Sequence, residues 1–200
     1  MKFVDPTGRD DLYYDQNGKW LETIKSKSEN VYIRTDDSTI LLCSKKQYID
    51  YVAAVYGETS LHQEEANAIS DAIENRANYT NRTISDIVAN TGIYGYNPGT
   101  IKKTKTDLEK NQDGKMLMAR TAVIHSLTSN TDVSNASYFW EGLKFIDPQS
   151  RFYNKNNFYV RNGWGVTPGI DGKIRFNEVK RIGGTVFMIN NPEVRKKCYP

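Results

Sequence analysis

"YVAAVYGETSLHQEEANAISDAIENRA", Tyr51 to Ala77, holds two apolar helical patterns broken by a short polar stretch, with a Gly-Glu pair at the break. Upstream, Ser44-Lys45-Lys46-Gln47 fits a capping box, in which the hydroxyl accepts from the first turn and Gln47 reaches back. Ile49, Val52, Ala53 and Tyr56 then fall on one face, and Gly57 is the expected terminator of this first helix. Downstream, Ala66, Ile69, Ala72, Ile73 and Ala77 recur at helical spacing and predict a second helix from about Gln63 to Asn78. A short third helix, Thr83 to Ala89, carries Ile84, Ile87 and Val88.

Working outward, the stretch before Ile40 changes period. "LYYDQNGKWLETI" has two β-rich runs around Asn17-Gly18, a strong short-range hairpin signal, so a hairpin is predicted at about 12–24. "NTGIYGYNPGT", Asn90 to Thr100, reads as a Gly/Pro/Asn-rich loop, and the polar run "KKTKTDLEKNQDGK" after it as a solvated linker or insertion. A fourth helix is expected from Lys115 to Ser129 with Leu117, Val123, Ile124 and Leu127 buried. "ASYFW" reads as extended, Asp147 to Pro168 as loop and "GGTVFMIN" as a strand. The class is therefore α+β, with a β-rich junction or appendage at 1–42 ahead of the main domain at 43–200.

Composition narrows the function. With 38% apolar residues among 200, the chain can build one sizeable core but not two. A balance of 27 basic against 24 acidic residues is far from the dense positive field of a nucleic-acid binder. No apolar run approaches the ~18 residues of a membrane span, and the opening "MKFVDPTGRDD" has no apolar signal-peptide region, so neither membrane insertion nor self-directed export is expected. Cys43 and Cys198 define no disulfide framework. Lone His62 and His125 form no metal-ligand spacing, and no cofactor is expected. The 13 tyrosines, 3 tryptophans and 7 phenylalanines suit carbohydrate or protein surfaces, because such rings combine flat apolar faces with polar tips.

Glu58 follows Gly57 directly, which puts a carboxylate beside unpaired helix carbonyls and the negative end of the helix dipole. Both disfavour the charged form. A carboxyl group kept protonated in this way is what a glycosidic leaving group needs from a general acid.

The ordered motifs Tyr56-Gly57-Glu58, Asn75-Arg76, "YNPG" at Tyr96 to Gly99, "ASYFWEG" and "IGGTVFM" resemble the cell-wall hydrolase family typified by the spore-cortex-lytic enzyme SleB, over about residues 48–189. The resemblance implies a lysozyme-like fold, a mainly helical lobe with a small β-rich lobe, in which one glutamate at the end of the first helix cleaves the glycan strand of peptidoglycan. It departs from the family in a shorter loop after Glu58, in the absence of the aromatic-Ser pair after the Pro-Gly turn, and in Glu141-Gly142 where Asn-Pro is common. "DPTG" near the start resembles the junction that precedes the toxic domain of Rhs/YD-repeat polymorphic toxins. That implies delivery by a secreted carrier, action in the periplasm or wall of a rival bacterium, and a cognate immunity protein as partner.

No second carboxylate is marked by a family motif, which favours a lytic transglycosylase over a muramidase. Glu141 is the best outside candidate for one, because it follows an aromatic run. Glu64, Glu65, Asp71 and Glu74 read as the solvated face of the second helix. Tyr94, Tyr96, Tyr138 and Trp140 are candidates for stacking on sugar rings, with one of Tyr138 and Trp140 turned inward by strand alternation. Asn75 is a candidate to hydrogen-bond Glu58 or an N-acetyl group, with helix capping or packing as its alternative role. Two rival functions stand beside this one: a Cys/His peptidoglycan amidase using Cys43 with His62 or His125, and a glycan-binding module without chemistry.

Overall fold

In the computed structural model of the protein the described residues are 9–60, 62–90, 93, 95–111, 114–137, 139–142, 160–162, 165–166 and 176–190. They form a mixed α+β structure with five helices and two sheets. The first sheet has β1 (Asp10–Tyr14), β2 (Trp20–Lys25), β3 (Asn30–Arg34) and β4 (Thr39–Ser44) in the order β2-β1-β3-β4. Antiparallel β1 and β2 make the hairpin around Asn17-Gly18. Strand alternation sends Leu12, Tyr14, Val31 and Ile33 to the inner face. On the other face Tyr13 and Tyr32 stack at 5.0 Å with the Arg34 guanidinium over the Tyr13 ring.

Helix α1 (Lys45–Glu58) starts where Ser44 accepts a hydrogen bond from the Gln47 N–H at 3.2 Å. From Tyr48 to Val55 it is buried on every side, so it is the central helix rather than an amphipathic one. Around it lie α2 (Gln63–Thr80), α3 (Ile84–Asn90), α4 (Pro98–Asp107) and α5 (Gly114–Thr128). Alanines 66, 68, 72 and 77 keep α2 slim against its neighbours. The Tyr51 hydroxyl reaches the Ser70 carbonyl at 2.7 Å and lies 3.1 Å from Ser126 Oγ, joining α1, α2 and α5 inside the core.

Three expectations are corrected here. The polar run after Thr100 is not a linker: Asn97, Pro98 and Thr100 open α4 with a capping box and a proline in the first turn, and Thr104, Asp107 and Leu108 are buried. The face of α5 is turned, with Met116, Ala119, Arg120 and Ala122 joining Val123 and Ile124 inside, while Leu117 and Leu127 are only half-buried. Within the stretch 147–168, residues Val160–Asn162 and Gly165–Val166 are strands β6 and β7, the rest lying outside the described residues.

The second sheet orders β5 (Phe139–Gly142), β9 (Thr185–Asn190), β8 (Phe176–Ile182), β6 and β7 as β5-β9-β8-β6-β7. Val186, Phe187 and Met188 of β9 are buried, and α2 packs against β5 and β8. The described part of the stretch expected to be a junction or appendage, the first sheet, shares its core with the helices: Leu12, Tyr14, Val31 and Ile33 belong to the same cluster. The Tyr14 ring packs 5.1 Å from Tyr48, and its hydroxyl donates to the Leu108 carbonyl at 2.8 Å. Buried Arg120 donates to the Leu108 and Lys110 carbonyls, binding the end of α4 into the same junction. Four such side chains together contribute roughly 6–12 kcal/mol of burial, as much as the net stability of a typical domain.

Candidate functional site

Glu58 is the last residue of α1, one position further into the helix than expected, and is half-buried. The Thr59 N–H still bonds to the Val55 carbonyl at 2.9 Å, so Gly57 does not terminate the helix. Gly57 serves another purpose. A Cβ there would lie 2.1 Å from the Gly95 carbonyl oxygen, and a Cβ on Gly95 would lie 2.5 Å from the Glu58 nitrogen. Two bare backbones cross at this point, and their closeness lets the Gly95 N–H donate to Glu58 Oε1.

Gly95 is held from its other side by α4. Thr100 Oγ1 accepts from the Asn97 N–H at 3.1 Å and donates to the Gly95 carbonyl at 2.7 Å, while Asn97 Oδ1 accepts from the N–H groups of Gly99 and Thr100. The capping box that starts α4 is thus also the mount of the donor to Glu58.

From the second sheet, the Trp140 indole N–H donates to Glu58 Oε2 at 3.3 Å. Trp140 stands on β5 opposite Phe187 of β9, partly buried against the core. Each carboxylate oxygen therefore has an N–H donor, one from the helical side and one from the sheet side. These donors hold the carboxyl group in one orientation. A half-exposed glutamate fixed beside an indole can give a proton to, and take one from, a ligand oxygen.

The remaining predicted residues are distributed differently. Asn75 does not meet Glu58: its Nδ2 donates to Asp132 Oδ2, Ser134 Oγ and the Ser137 carbonyl at 3.0–3.1 Å. It thereby fixes the loop that leads into β5 and Trp140, the packing alternative named for it. Hydrogen bonds from Ser134, Asn75 and Ala136 hold the Asp132 carboxyl below the usual range although burial pushes the other way. Tyr96 is turned to α1, its hydroxyl donating to Asp50 Oδ1 at 2.9 Å, with burial and that contact pushing the phenol up to about 12. It lines a cavity of about 570 Å³ with Lys45, Ile49, Asp50 and Ile101, its hydroxyl tied to α1. Tyr94 and Tyr138 lie outside the described residues, as does the side chain of Glu141, whose backbone pairs with Val186.

The acidic residues of α2 are not all solvated. Glu65 is 2% exposed and accepts from the Ser60 N–H at 2.9 Å, from the Ser60 hydroxyl and from the Thr185 hydroxyl at 2.6 Å. Asp71 is buried too; it accepts from the Val133 N–H at 2.6 Å, and desolvation raises its carboxyl. Glu64 is exposed, 3.7 Å from Lys180, and Glu74 receives the Ser126 hydroxyl at 2.7 Å. Helical periodicity places these residues on α2 without telling which carboxylates find donors far away in sequence.

Cys43 lies in β4 opposite Val31, and burial pushes its thiol up to about 12, the reverse of an activated thiolate. His62 is exposed at the start of α2. Among the described residues no group of three or more His, Cys, Asp or Glu is placed to hold a metal, and no helix is long and apolar enough to cross a membrane. No protein-family model, curated protein or solved structure matches this chain.

Proposed function

We propose that the chain is a lysozyme-like enzyme of the SleB type that cleaves the peptidoglycan glycan strand between N-acetylmuramic acid and N-acetylglucosamine. The observation that carries this reading is Glu58 at the end of a fully packed helix, with one oxygen held by the Gly95 N–H and the other by the Trp140 indole. A rigid mount of this kind suits a catalytic group better than a loop.

In the proposed reaction, the protonated Glu58 carboxyl gives its proton to the glycosidic oxygen as the bond to the anomeric carbon breaks. The resulting carboxylate then takes a proton from the muramic acid's own C6 hydroxyl as that oxygen attacks the anomeric carbon. A 1,6-anhydro ring closes, no water is consumed and Glu58 regains its proton. Glu65, the nearest buried carboxylate in sequence, already accepts three hydrogen bonds from Ser60 and Thr185. That arrangement favours the single-glutamate transglycosylase over a hydrolase that needs a free second carboxylate.

Delivery by a secreted carrier, action in a target cell's periplasm and inhibition by a cognate immunity protein belong to the same proposal. The amidase alternative loses support from Cys43, which is partly buried in β4 with its thiol pushed up by that burial. A glycan-binding module without chemistry is separated by one experiment: sacculi incubated with the protein release soluble anhydro-ended muropeptides if the enzyme reading holds, and are bound but left intact if only the module is present.

A further inference from the structure

Resting on the reading of Glu58 above, we infer that Glu65 is a positioning residue that clamps together the two elements carrying Glu58 and its Trp140 partner. Its oxygens are divided between the chain just beyond α1 and β9, the strand paired with β5. Oε2 accepts from the N–H and the hydroxyl of Ser60, two residues beyond Glu58. Oε1 accepts from Thr185 Oγ1 on β9, where Thr185 stands opposite Gly142 of β5, two residues along from Trp140.

The surroundings fit a clamp rather than a reactive group. Glu65 is 2% exposed and Thr185 7%, and an added Cβ on Gly183 would come within 3.3 Å of Glu65 Oε1, so the β8–β9 turn lies close beside the carboxylate. Between Glu58 and Ser60, Thr59 is 3% exposed and its N–H remains in the helix ladder. Any shift of Ser60 is therefore passed to the end of α1. On the other side, β5 and β9 pair residue for residue from Phe139 to Gly142, so a shift of Thr185 moves the strand that carries the indole. A carboxylate accepting three donors thus adds a second tie between the chain leaving α1 and the second sheet, beside the Trp140–Glu58 hydrogen bond.

The test uses two replacements in the full chain. Glu65→Gln keeps a carbonyl oxygen for Ser60 and offers an amide that can donate to Thr185 Oγ1, so the clamp survives. Glu65→Leu removes it at similar volume. A misplacement of about 1 Å at a reacting group costs on the order of 100-fold, so Glu65→Leu should lower kcat on sacculi roughly 30- to 100-fold with KM nearly unchanged, whereas Glu65→Gln should stay within about threefold of wild type. If Gln is as inactive as Leu, Glu65 acts in the chemistry itself and the positioning role is overturned; if both keep full rate, it has no role. Should the Leu variant unfold, Thr185→Val removes the whole sheet side of the clamp and is read in the same way, while Ser60→Ala, which loses the hydroxyl and keeps the N–H donor, should have the smaller effect. A second readout needs no substrate: the NMR resonances of the Trp140 indole N–H and the Gly95 amide should move in Glu65→Leu and stay in Glu65→Gln. Unmoved resonances in Glu65→Leu overturn the clamp, while moved resonances in a protein that leaves sacculi intact would uphold the clamp and remove the proposed enzyme.

Discussion

At the scale of single residues, the site depends on two glycines as much as on the glutamate. Gly95 has no room for a methyl group, because its Cβ would stand 2.5 Å from both the Glu58 nitrogen and the Gly57 carbonyl carbon. Overpacking of this kind costs typically 1–3 kcal/mol, and the loop can relieve it only by moving away from Glu58. Gly95→Ala is therefore expected to lower stability by about 2 kcal/mol in a denaturant melt and to reduce activity at least tenfold at temperatures where the variant is folded. A destabilised variant with full activity would show that the Gly95 N–H is not needed. Glu58 and Trp140 are both recognisable in the sequence, but the bond between them is not, since 82 residues separate them. The Gly57–Gly95 crossing is hidden for the same reason: a glycine after an apolar helix reads as a terminator, and only the packed structure reveals the second backbone.

Among the elements, the β1–β2 hairpin offers a sharp test, because Gly18 is needed twice over. Its φ of +75° lies in the left-handed region, and an added Cβ would meet the Thr121 nitrogen on α5 at 2.8 Å. Asn17 is fastened to the same helix, its carbonyl accepting from Thr121 Oγ1 at 2.6 Å. Gly18→Ala should then destabilise the protein by roughly 2–3 kcal/mol, strain and clash combined, a loss readable in a urea titration; a loss below about 0.5 kcal/mol would mean the turn does not seat on α5. The hairpin, α1, α2 and β9 are legible in the sequence because each has a local signal: an Asn-Gly pair, helical spacing of apolar residues, or an apolar β-rich run. Helix α4 is not. Its inward residues include Thr104 and Asp107, whose polarity imitates a solvated segment, and its real signal is the Asn97-Pro98-Gly99-Thr100 start, which also fits a turn. Glu65 escapes notice for a related reason, since an acidic residue in the first turn of a helix is favourable without any partner, and Thr185 is 120 residues away.

For the whole molecule, one continuous core joins the first sheet to the helices, and buried charges tie its edges. Asp107, 3% exposed at the end of α4, accepts from Lys103 and Lys110, and its carboxyl is held below the usual carboxylate range chiefly by the Lys103 hydrogen bond. A depressed folded value means stability that is present above the unfolded value of about 4 and lost as pH falls through the folded one. Wild type should therefore exceed Asp107→Asn in melting temperature at neutral pH, with the gap closing below about pH 4; a gap that is constant with pH would contradict the pairing. The proposed activity also belongs to the whole molecule, since Glu58 comes from the helices and Trp140 from the second sheet. Its most direct test is Glu58→Gln, a nearly isosteric change that cannot deliver the proton, assayed on purified sacculi with mass analysis of the products. The account predicts an intact fold, a rate lower by roughly 10² to 10⁴, and anhydro-ended muropeptides from the wild type alone. Near wild-type digestion by Glu58→Gln would contradict it.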